Sequence, residues 1–365
     1  MEPKAFLEQI ESASFSPYMG VPCSVFTPLL NYLNESGKES YACTSEGEAM
    51  GLAGGFALSG KLPVVYMQND GYGNAVNPLS SLQLLYKLPA LLLISWRGLP
   101  GKKDAAQHML MGETIERFLK LFSIPYTVLD EGKDNLESAV SEAKKHCQDN
   151  GTPYAFVIKK GYFSKSEKNK EAENSDLNIR VDYLNKLKIH LKESDVLLGT
   201  TGFTGRELYS YLEHPGKFYM TGSMGCLSSV GLGVALENRD KRIFLLDGDG
   251  SVLMKMGSLV TVGSYSPENI IHICFDNQVY ESTGNQPTLS KGINLAEIAK
   301  SSGYKETIEI DSPEQFNEVL KKIDKTAKPF FVLIRIKSGT MEGLPRPADT
   351  PEEMKNKFSV FLKGN

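Results

Sequence analysis

The sequence has no apolar run long enough to cross a bilayer, since its longest, residues 88–96, spans about half of the roughly 20 residues required. Its first twelve residues include three glutamates, where a signal peptide would be basic and then apolar. Five cysteines without a Cys-x-x-Cys pair suit reduced thiols better than a disulfide framework. With 40 Lys and Arg against 44 Asp and Glu, the net charge of −4 provides no basic field to attract nucleic acid or anionic lipid. These absences predict a cytoplasmic protein with a small-molecule partner, no nucleic acid and no membrane.

The length of 365 residues and a hydrophobic content of 41% predict a globular chain of two domains. In the first half, compact apolar runs predict buried strands at residues 62–68, 89–96 and 154–159. Helical patterns accompany them at residues 46–58, 80–87, 113–122 and 134–149. Strand alternating with helix indicates a parallel sheet with helices on both faces.

A highly charged segment, residues 164–178, contains one apolar side chain beyond alanine, so it cannot bury enough surface to offset the entropy of ordering. We predict a linker over residues 164–180, between a first domain at 1–163 and a second at 181–365. After the linker the pattern resumes, with buried strands predicted at residues 196–199, 243–247, 270–276 and 330–336. The predicted fold class is α/β, with two doubly wound parallel-sheet domains.

Polar residues follow the predicted strands, and in open parallel sheets ligands bind beyond the carboxyl ends of the strands. The strand at 243–247 leads into a glycine turn in which Asp249 carries a carboxylate, and 26 residues separate Gly250 from Asn277 at the end of the next strand. Neighbouring strand ends would bring Asp249 and Asn277 together, and carboxylate and amide oxygens are ligands that Mg²⁺ accepts. Two unrelated turns are the alternative interpretation, because Asp-Gly is also a common turn dipeptide.

The segment Gly248-Asp249-Gly250, its 26-residue spacing and Asn277 resemble the signature of thiamine diphosphate enzymes. Further matches occur in both halves: Glu46-Gly47-Glu48-Ala49, Gly71-Tyr72-Gly73-Asn74, Thr201-Gly202 and Thr221-Gly222-Ser223-Met224-Gly225. Because the chain has no length for the middle domain of most such decarboxylases, it is identified as a member of the short family of phosphonopyruvate and sulfopyruvate decarboxylases. The resemblance implies a pyrimidine-binding domain followed by a diphosphate-binding domain.

The same resemblance implies thiamine diphosphate and Mg²⁺ as cofactors. Glu46 would donate to the aminopyrimidine ring and activate the cofactor, although by itself it is equally a solvated or helix-capping acid. Met224 would lie beneath the bent cofactor, although without the resemblance it would be assigned to the core. The other implied cofactor-binding residues are Gly73, Asn74, Thr201, Gly202, Gly222, Ser223, Asp249, Gly250, Ser251 and Asn277. The implied metal ligands are Asp249, Asn277 and the backbone carbonyl of Val279.

The implied reaction is the non-oxidative decarboxylation of phosphonopyruvate to phosphonoacetaldehyde and carbon dioxide, a step of phosphonate biosynthesis. Three alternatives remain open: sulfopyruvate as the substrate, giving sulfoacetaldehyde; carboligation; and an inactive regulator that binds thiamine diphosphate. The family also implies a homodimer or larger homo-oligomer with active sites at the subunit interface.

Four residues are predicted to contact the substrate: Cys23, Arg97, His108 and Thr283. Arg97 suits an anionic phosphonate because its planar guanidinium donates in a fixed fork. His108, expected in a loop before a helix, would exchange a proton with the substrate or hydrogen-bond to it, with a structural histidine as the alternative. Pyruvate decarboxylases have an acid at the position of Thr283, which speaks against pyruvate. Cys23 stands where some relatives have Asp, and it either lines the substrate site or packs.

Overall fold

A computed structural model describes residues 1–132, 134–164, 176–340, 343–345 and 347–364. The chain divides into two compact units, Met1–Asn169 and Lys170–Asn365. Of the predicted linker, residues 165–175 lie outside the described part of the chain, and its last residue, Arg180, begins a helix. None of the helices in the described ranges has the length and apolar character needed to cross a membrane.

The first unit is built on a six-stranded sheet. Its strands are β1 (Phe15–Gly20), β2 (Ser40–Ala42), β3 (Leu62–Gln68), β4 (Leu91–Trp96), β5 (Tyr126–Leu129) and β6 (Tyr154–Lys159). They pair in parallel in the order β2-β1-β3-β4-β6-β5. The helices are α1 (Pro3–Ser12), α2 (Thr27–Glu35), α3 (Glu46–Leu58), α4 (Tyr72–Pro78), α5 (Ala106–Leu121) and α6 (Leu136–Asn150). Successive residues of β4, such as Leu92 and Leu93, enter separate cores on the two faces of the sheet.

The second unit repeats this architecture. Its strands are β7 (Val196–Gly199), β8 (Lys217–Tyr219), β9 (Ile243–Gly248), β10 (Ile270–Asp276), β11 (Val279–Tyr280), β12 (Gln286–Pro287), β13 (Glu306–Ile310) and β14 (Phe330–Arg335). Six of them form a parallel sheet in the order β13-β14-β10-β9-β7-β8, and β11 and β12 form a small antiparallel pair. The helices are α7 (Arg180–His190), α8 (Phe203–Tyr211), α9 (Leu227–Glu237), α10 (Asp249–Met254), α11 (Gly257–Tyr265), α12 (Leu295–Ser301), α13 (Pro313–Lys322) and α14 (Pro351–Lys363).

The predicted fold class of two doubly wound parallel sheets is confirmed. The sequence pattern misses β1, where Ser16 and Pro17 interrupt the apolar run. It also misses the edge strands of both sheets, which are β2, β5, β8 and β13. The helix predicted at residues 80–87 is shorter, because a π-helical stretch at Leu79–Leu84 continues α4. The long, fully apolar strands are therefore the ones that sequence alone identifies.

Helix α5 begins at Ala106 rather than at the predicted residue 113, so His108 lies in its first turn and not in a loop. The glycine at position 112, a poor helix former, is inside the helix because the helix packs closely against the end of β4. A Cβ at Gly112 would lie 1.8 Å from the carbonyl oxygen of Gly98. Nε1 of Trp96 donates to the carbonyl oxygen of Gly112 at 2.9 Å. These contacts fix the first turns of α5 beside the end of β4.

Because no side chain fits at that contact, we predict that Gly112→Ala destabilises the first unit by about 2 kcal/mol and lowers its melting temperature by about 5 °C. Trp96 is the only tryptophan in the chain, so its fluorescence reports unfolding at this place. Gly55→Ala in α3 is the control, since a Cβ there meets nothing within 4 Å and alanine favours the helix. Equal melting temperatures for the two variants would contradict the packing described.

Candidate active site

Glu46 is the first residue of α3, and only 5% of it is exposed. Nδ2 of Asn74 donates to its Oε2 at 2.8 Å. On the other side of the carboxyl group, a Cβ at Gly71 would lie 2.1 Å from Oε1, so a side chain there would displace the carboxyl group of Glu46. The structure therefore brings Glu46 and Asn74 together, as the sequence predicts, and places the exposed Gly73 next to Asn74.

Capping of α3 is carried out by neighbouring residues. The side chain of Ser45 accepts a hydrogen bond from the backbone N–H of Glu48 at 3.3 Å. The carboxylate of Glu48 accepts from the backbone N–H and the hydroxyl of Thr44 at 2.7 and 2.6 Å. This reciprocal arrangement closes the helix N-terminus, so the capping role considered for Glu46 belongs to Ser45 and Glu48.

Arg97 directly follows β4, and its guanidinium is held by a carboxylate that the sequence did not reveal. Nε and Nη2 donate to the two oxygens of Asp104 at 2.7 and 2.6 Å, and Nη1 donates to Oγ of Ser24 at 3.3 Å. The hydrogen bond to Asp104 raises the pKa of Arg97, and the same bond lowers the pKa of Asp104 well below its usual range. Arg97 is therefore charged and held in one orientation.

His108 and Arg97 lie at the same end of the first sheet. The side chain of Asn69 donates to the carbonyl oxygen of Arg97 at 2.8 Å and accepts from its N–H at 3.0 Å, which ties the ends of β3 and β4 together. Nδ1 of the buried His108 is 2.8 Å from Oδ2 of Asp70, two residues beyond β3. A Cβ at Gly98 would lie 2.0 Å from the carbonyl oxygen of His108, so the residue after Arg97 touches the backbone of His108.

Two of the four predicted substrate residues use their polar groups within the protein. The thiol of Cys23 is 1% exposed and donates to Oγ of Ser95 at 3.2 Å, and burial raises its pKa. The hydroxyl of Thr283 lies 3.1 Å from the carbonyl oxygen of Tyr280 and 3.0 Å from Oε1 of Gln286. In this arrangement Cys23 packs and Thr283 stabilises a turn. A substrate contact through either residue stays a prediction.

Asp249, directly after β9, is a carboxylate buried to 3% exposure. Ser290 Oγ donates to its Oδ2 at 3.0 Å, and the hydroxyl of Thr288 donates to the same oxygen. Ser290 also lies 2.8 Å from the carboxylate of Asp276 at the end of β10. Burial, followed by the negative charge of Asp276, raises the pKa of Asp249 to about 7. A buried charge that is disfavoured in this way is suited to a bound cation.

Asn277 follows β10, next to β9 in the sheet, so the structure places it at the same end as Asp249. Its Oδ1 accepts from the backbone N–H of Val279 at 3.2 Å, and its Nδ2 lies 3.3 Å from Oε2 of Glu281. Among the described residues, no group of three or more His, Cys, Asp or Glu side chains could hold a metal ion. A site made of Asp249, Asn277 and the carbonyl of Val279 therefore needs oxygen ligands from outside the protein to be complete.

Met224 lies over Gly250. A Cβ at Gly250 would be 3.2 Å from Cε of Met224 and 2.6 Å from the ring of Tyr280, so glycine keeps these side chains near the end of β9. The turn that presents Met224 has left-handed backbone at Ser223 (φ +55°) and Gly225 (φ +86°). The tight turn positions a half-buried Met224 and does not place it deep in the core.

The remaining predicted cofactor residues surround the ends of β7, β8 and β9. Oγ of Ser251 accepts from the N–H of Gly225 at 3.2 Å and pairs with the hydroxyl of Thr200 at 2.9 Å. The hydroxyl of Thr201 donates to the carbonyl oxygen of Thr221, next to Gly222, at 3.3 Å. Gly202, with φ +81°, precedes α8. In this structure Ser251 and Thr201 connect the loops to one another.

Sequence reasoning missed six residues of these clusters: Asn69, Asp70, Asp104, Asp276, Thr288 and Ser290. Asn69 and Asp276 are at a strand end, the position that drew attention to Asp249, so the same signal could have found them. Asp104 comes from a loop, and Thr288 and Ser290 come from the start of a short 3₁₀ helix at Leu289–Gly292. The sequence carries no comparable signal for these partners.

Comparison with known proteins agrees with this geometry. The model of the N-terminal TPP binding domain of thiamine pyrophosphate enzymes matches residues 3–116, and that of the C-terminal TPP binding domain matches residues 198–334. The phosphonopyruvate decarboxylase of Streptomyces viridochromogenes is 35% identical, covering 94% of this chain and 90% of that protein. That of Streptomyces hygroscopicus is 34% identical, with 94% and 89% covered. The sulfopyruvate decarboxylase of Methanosarcina acetivorans is 29% identical, with 94% and 92% covered.

The chain is thus a thiamine pyrophosphate enzyme with one cofactor-binding domain in each half and no middle domain. Within that class it belongs to the phosphonopyruvate decarboxylase family, and it is a carboxy-lyase that uses thiamine diphosphate. The family, the enzyme class and the organic cofactor predicted from the sequence are confirmed.

Because folding raises the pKa of Asp249 to about 7, its charged form is penalised in the native state. The penalty is absent below about pH 4, grows as the pH rises, and is complete above pH 7. We therefore predict that Asp249→Asn stabilises the cofactor-free protein by about 2 kcal/mol more at pH 8 than at pH 5. Scanning calorimetry in a metal chelator measures this difference.

The control is Asp240→Asn, because the side chain of Asp240 is 83% exposed in the same unit. It should change the melting temperature equally at both pH values. A stabilisation by Asp249→Asn that does not depend on pH would contradict the assignment of the buried charge.

Proposed function

We propose that this enzyme catalyses the Mg²⁺-dependent decarboxylation of phosphonopyruvate to phosphonoacetaldehyde and carbon dioxide. The observation that carries the proposal is Arg97, a guanidinium fixed by Asp104 and Ser24 at the end of a buried strand. Of the five N–H donors of an arginine, the contacts within the described chain use three, so two remain for an anionic group. Phosphonate oxygens are strong acceptors for such donors.

The surroundings of Glu46 fit the aminopyrimidine end of thiamine diphosphate. When bound, the cofactor supplies the electron sink for the charge that remains as carbon dioxide departs. Glu46 is the residue that would hydrogen-bond to the ring and hold a proton there, because burial disfavours the charged form of a carboxyl group. Asn74 and Gly71 keep the Glu46 side chain in one position.

The surroundings of Asp249 fit the diphosphate end with Mg²⁺. Asp249, Asn277 and the carbonyl of Val279 would be the protein ligands of the metal, which would balance the disfavoured charge of Asp249. The other residues assigned to the cofactor are Gly73, Thr201, Gly202, Gly222, Ser223, Met224, Gly250 and Ser251.

Glu46 and the proposed metal ligands belong to separate units of the chain. Because the family resemblance implies sites shared between subunits, we assign the enzyme to a homodimer or larger homo-oligomer, in which the first unit of one subunit and the second unit of another serve one cofactor.

Sulfopyruvate is the second candidate substrate, because a relative that is 29% identical over nearly the whole chain is a sulfopyruvate decarboxylase. A sulfonate accepts hydrogen bonds from the same arginine donors. The higher identity to two phosphonopyruvate decarboxylases favours the phosphonate. The alternative of an inactive regulator is disfavoured, since the chain keeps Glu46 together with its neighbours Asn74 and Gly71.

Aldehyde release from phosphonopyruvate, sulfopyruvate and pyruvate, measured side by side, tests the substrate. We expect phosphonopyruvate to give a kcat/KM at least about tenfold above sulfopyruvate and far above pyruvate. Removal of Mg²⁺ by a chelator should abolish turnover, and its addition should restore it. A preference for sulfopyruvate would contradict the proposed substrate, and full activity without a divalent cation would contradict the metal site.

Glu46→Gln keeps the size of the side chain and removes its acid. It should lower kcat at least about 100-fold because the proton at the cofactor ring is lost, while calorimetric titration still detects thiamine diphosphate binding. Glu48→Gln is the matched control in the same helical turn, and we expect its kcat to stay within about twofold of the wild type. Comparable losses in the two variants would remove the special role of Glu46.

A further inference from the structure

Asp70 is a charged residue that the proposed function leaves unused, and it lies against His108. Its Oδ2 is 2.8 Å from Nδ1 of the imidazole. The His108 side chain is 11% exposed and that of Asp70 is 25% exposed, so the pair is largely shielded from solvent. The two residues come from different elements, Asp70 from the turn after β3 and His108 from the first turn of α5. Such a contact between elements fixes the ring in space.

The contact also decides which ring nitrogen carries the proton. An ionised carboxylate only accepts hydrogen bonds, so Nδ1 of His108 must be the donor. On the other side of the ring, the amide nitrogen of Gln107 is 3.5 Å from Nε2, as expected for a nitrogen that can accept. Nε2 is therefore the nitrogen at which His108 can gain and lose a proton.

Arg97 is a charged group that interacts with this pair, and it has a carboxylate partner of its own. The charge of Arg97, at the end of β4, acts on Asp70. The guanidinium nevertheless makes its two short hydrogen bonds to Asp104. The carboxylate of Asp104 is thus paired with Arg97. Asp70 is the carboxylate that contacts the imidazole ring of His108 and stabilises its positive form.

We propose that Asp70 is a positioning residue that holds His108 in the Nδ1–H tautomer and supports its imidazolium form, so that Nε2 delivers a proton to the substrate. In that step the Nε2–H bond breaks, and its electron pair stays on the ring. A C–H bond forms at the substrate carbon that has lost carbon dioxide, and water then returns a proton to Nε2. This inference rests on the proposed function only for the transfer step; the tautomer is a property of the protein alone.

Nitrogen NMR of the five histidines tests the tautomer without substrate. The His108 signals are assigned by their loss in His108→Gln. At pH 8 the wild-type protein should show a protonated Nδ1, and Asp70→Ala should shift His108 to the Nε2–H tautomer that a free imidazole prefers. The control is Asp149→Asn, a surface acid paired with Lys145, which should leave the signals unchanged. A wild-type Nε2–H tautomer, or no change in Asp70→Ala, overturns the proposal.

Kinetics with phosphonopyruvate test the transfer step. Asp70→Asn should lower kcat about tenfold or more with little change in KM, because substrate contacts remain. Asp149→Asn should reproduce the wild-type kcat and KM.

The two measurements separate the possible failures. A changed tautomer with an unchanged kcat overturns the role of His108 in proton transfer. An unchanged tautomer overturns the role of Asp70 even if phosphonopyruvate is confirmed as the substrate. If the enzyme prefers another 2-oxo acid, the proposed substrate is wrong. The NMR result still decides whether Asp70 sets the tautomer of His108.

Discussion

Asp249 lies beside Asp276 at the ends of neighbouring parallel strands, and the burial of its carboxylate, together with the charge of Asp276, is the constraint on which the site in the second unit depends. Asp276 itself is paired with Arg335. Parallel pairing of β9 and β10 forces their carboxyl ends to meet at one edge of the sheet. Thr288 and Ser290 hold Asp249 in place, but hydroxyl groups do not neutralise it. A bound divalent cation would offset the penalty on the charged form of Asp249. The folded second unit is therefore expected to bind such a cation favourably.

In the first unit, the charged residues near the ends of β3 and β4 and at the start of α3 have specific partners. Arg97 is matched by Asp104, His108 by Asp70, and Glu46 is hydrogen-bonded by Asn74. These pairs hold side chains at the ends of β3 and β4 and at the start of α3 without any bound ion. This difference suits the roles proposed for the two units, since proton exchange needs groups of defined orientation and a buried carboxylate suits a bound cation.

Sequence alone could predict those site residues whose place follows from their position along the chain. Asp249 and Asn277 follow long apolar strands at a suitable spacing, and Glu46 and Asn74 were found through family resemblance. The pairings of Arg97 with Asp104 and of His108 with Asp70 depend on where α5 begins. That start follows from the close contact of Gly112 with Gly98, which no periodicity reveals. For Cys23, the sequence left two interpretations open, a substrate contact or a packing residue. The structure favours packing because Cys23 is buried among core residues.

We propose that Glu46 of one subunit and the proposed metal ligands of another, Asp249 and Asn277, serve one shared cofactor. The most direct measurement mixes Glu46→Gln with Asp249→Asn, each inactive alone, after subunit exchange. In a dimer with shared sites, mixed pairs contain one intact site, so we expect recovery of about a quarter of the wild-type activity. If the mixture stays as inactive as its components although mixed dimers form, both residues act within a single subunit or do not act together, and the claim is contradicted.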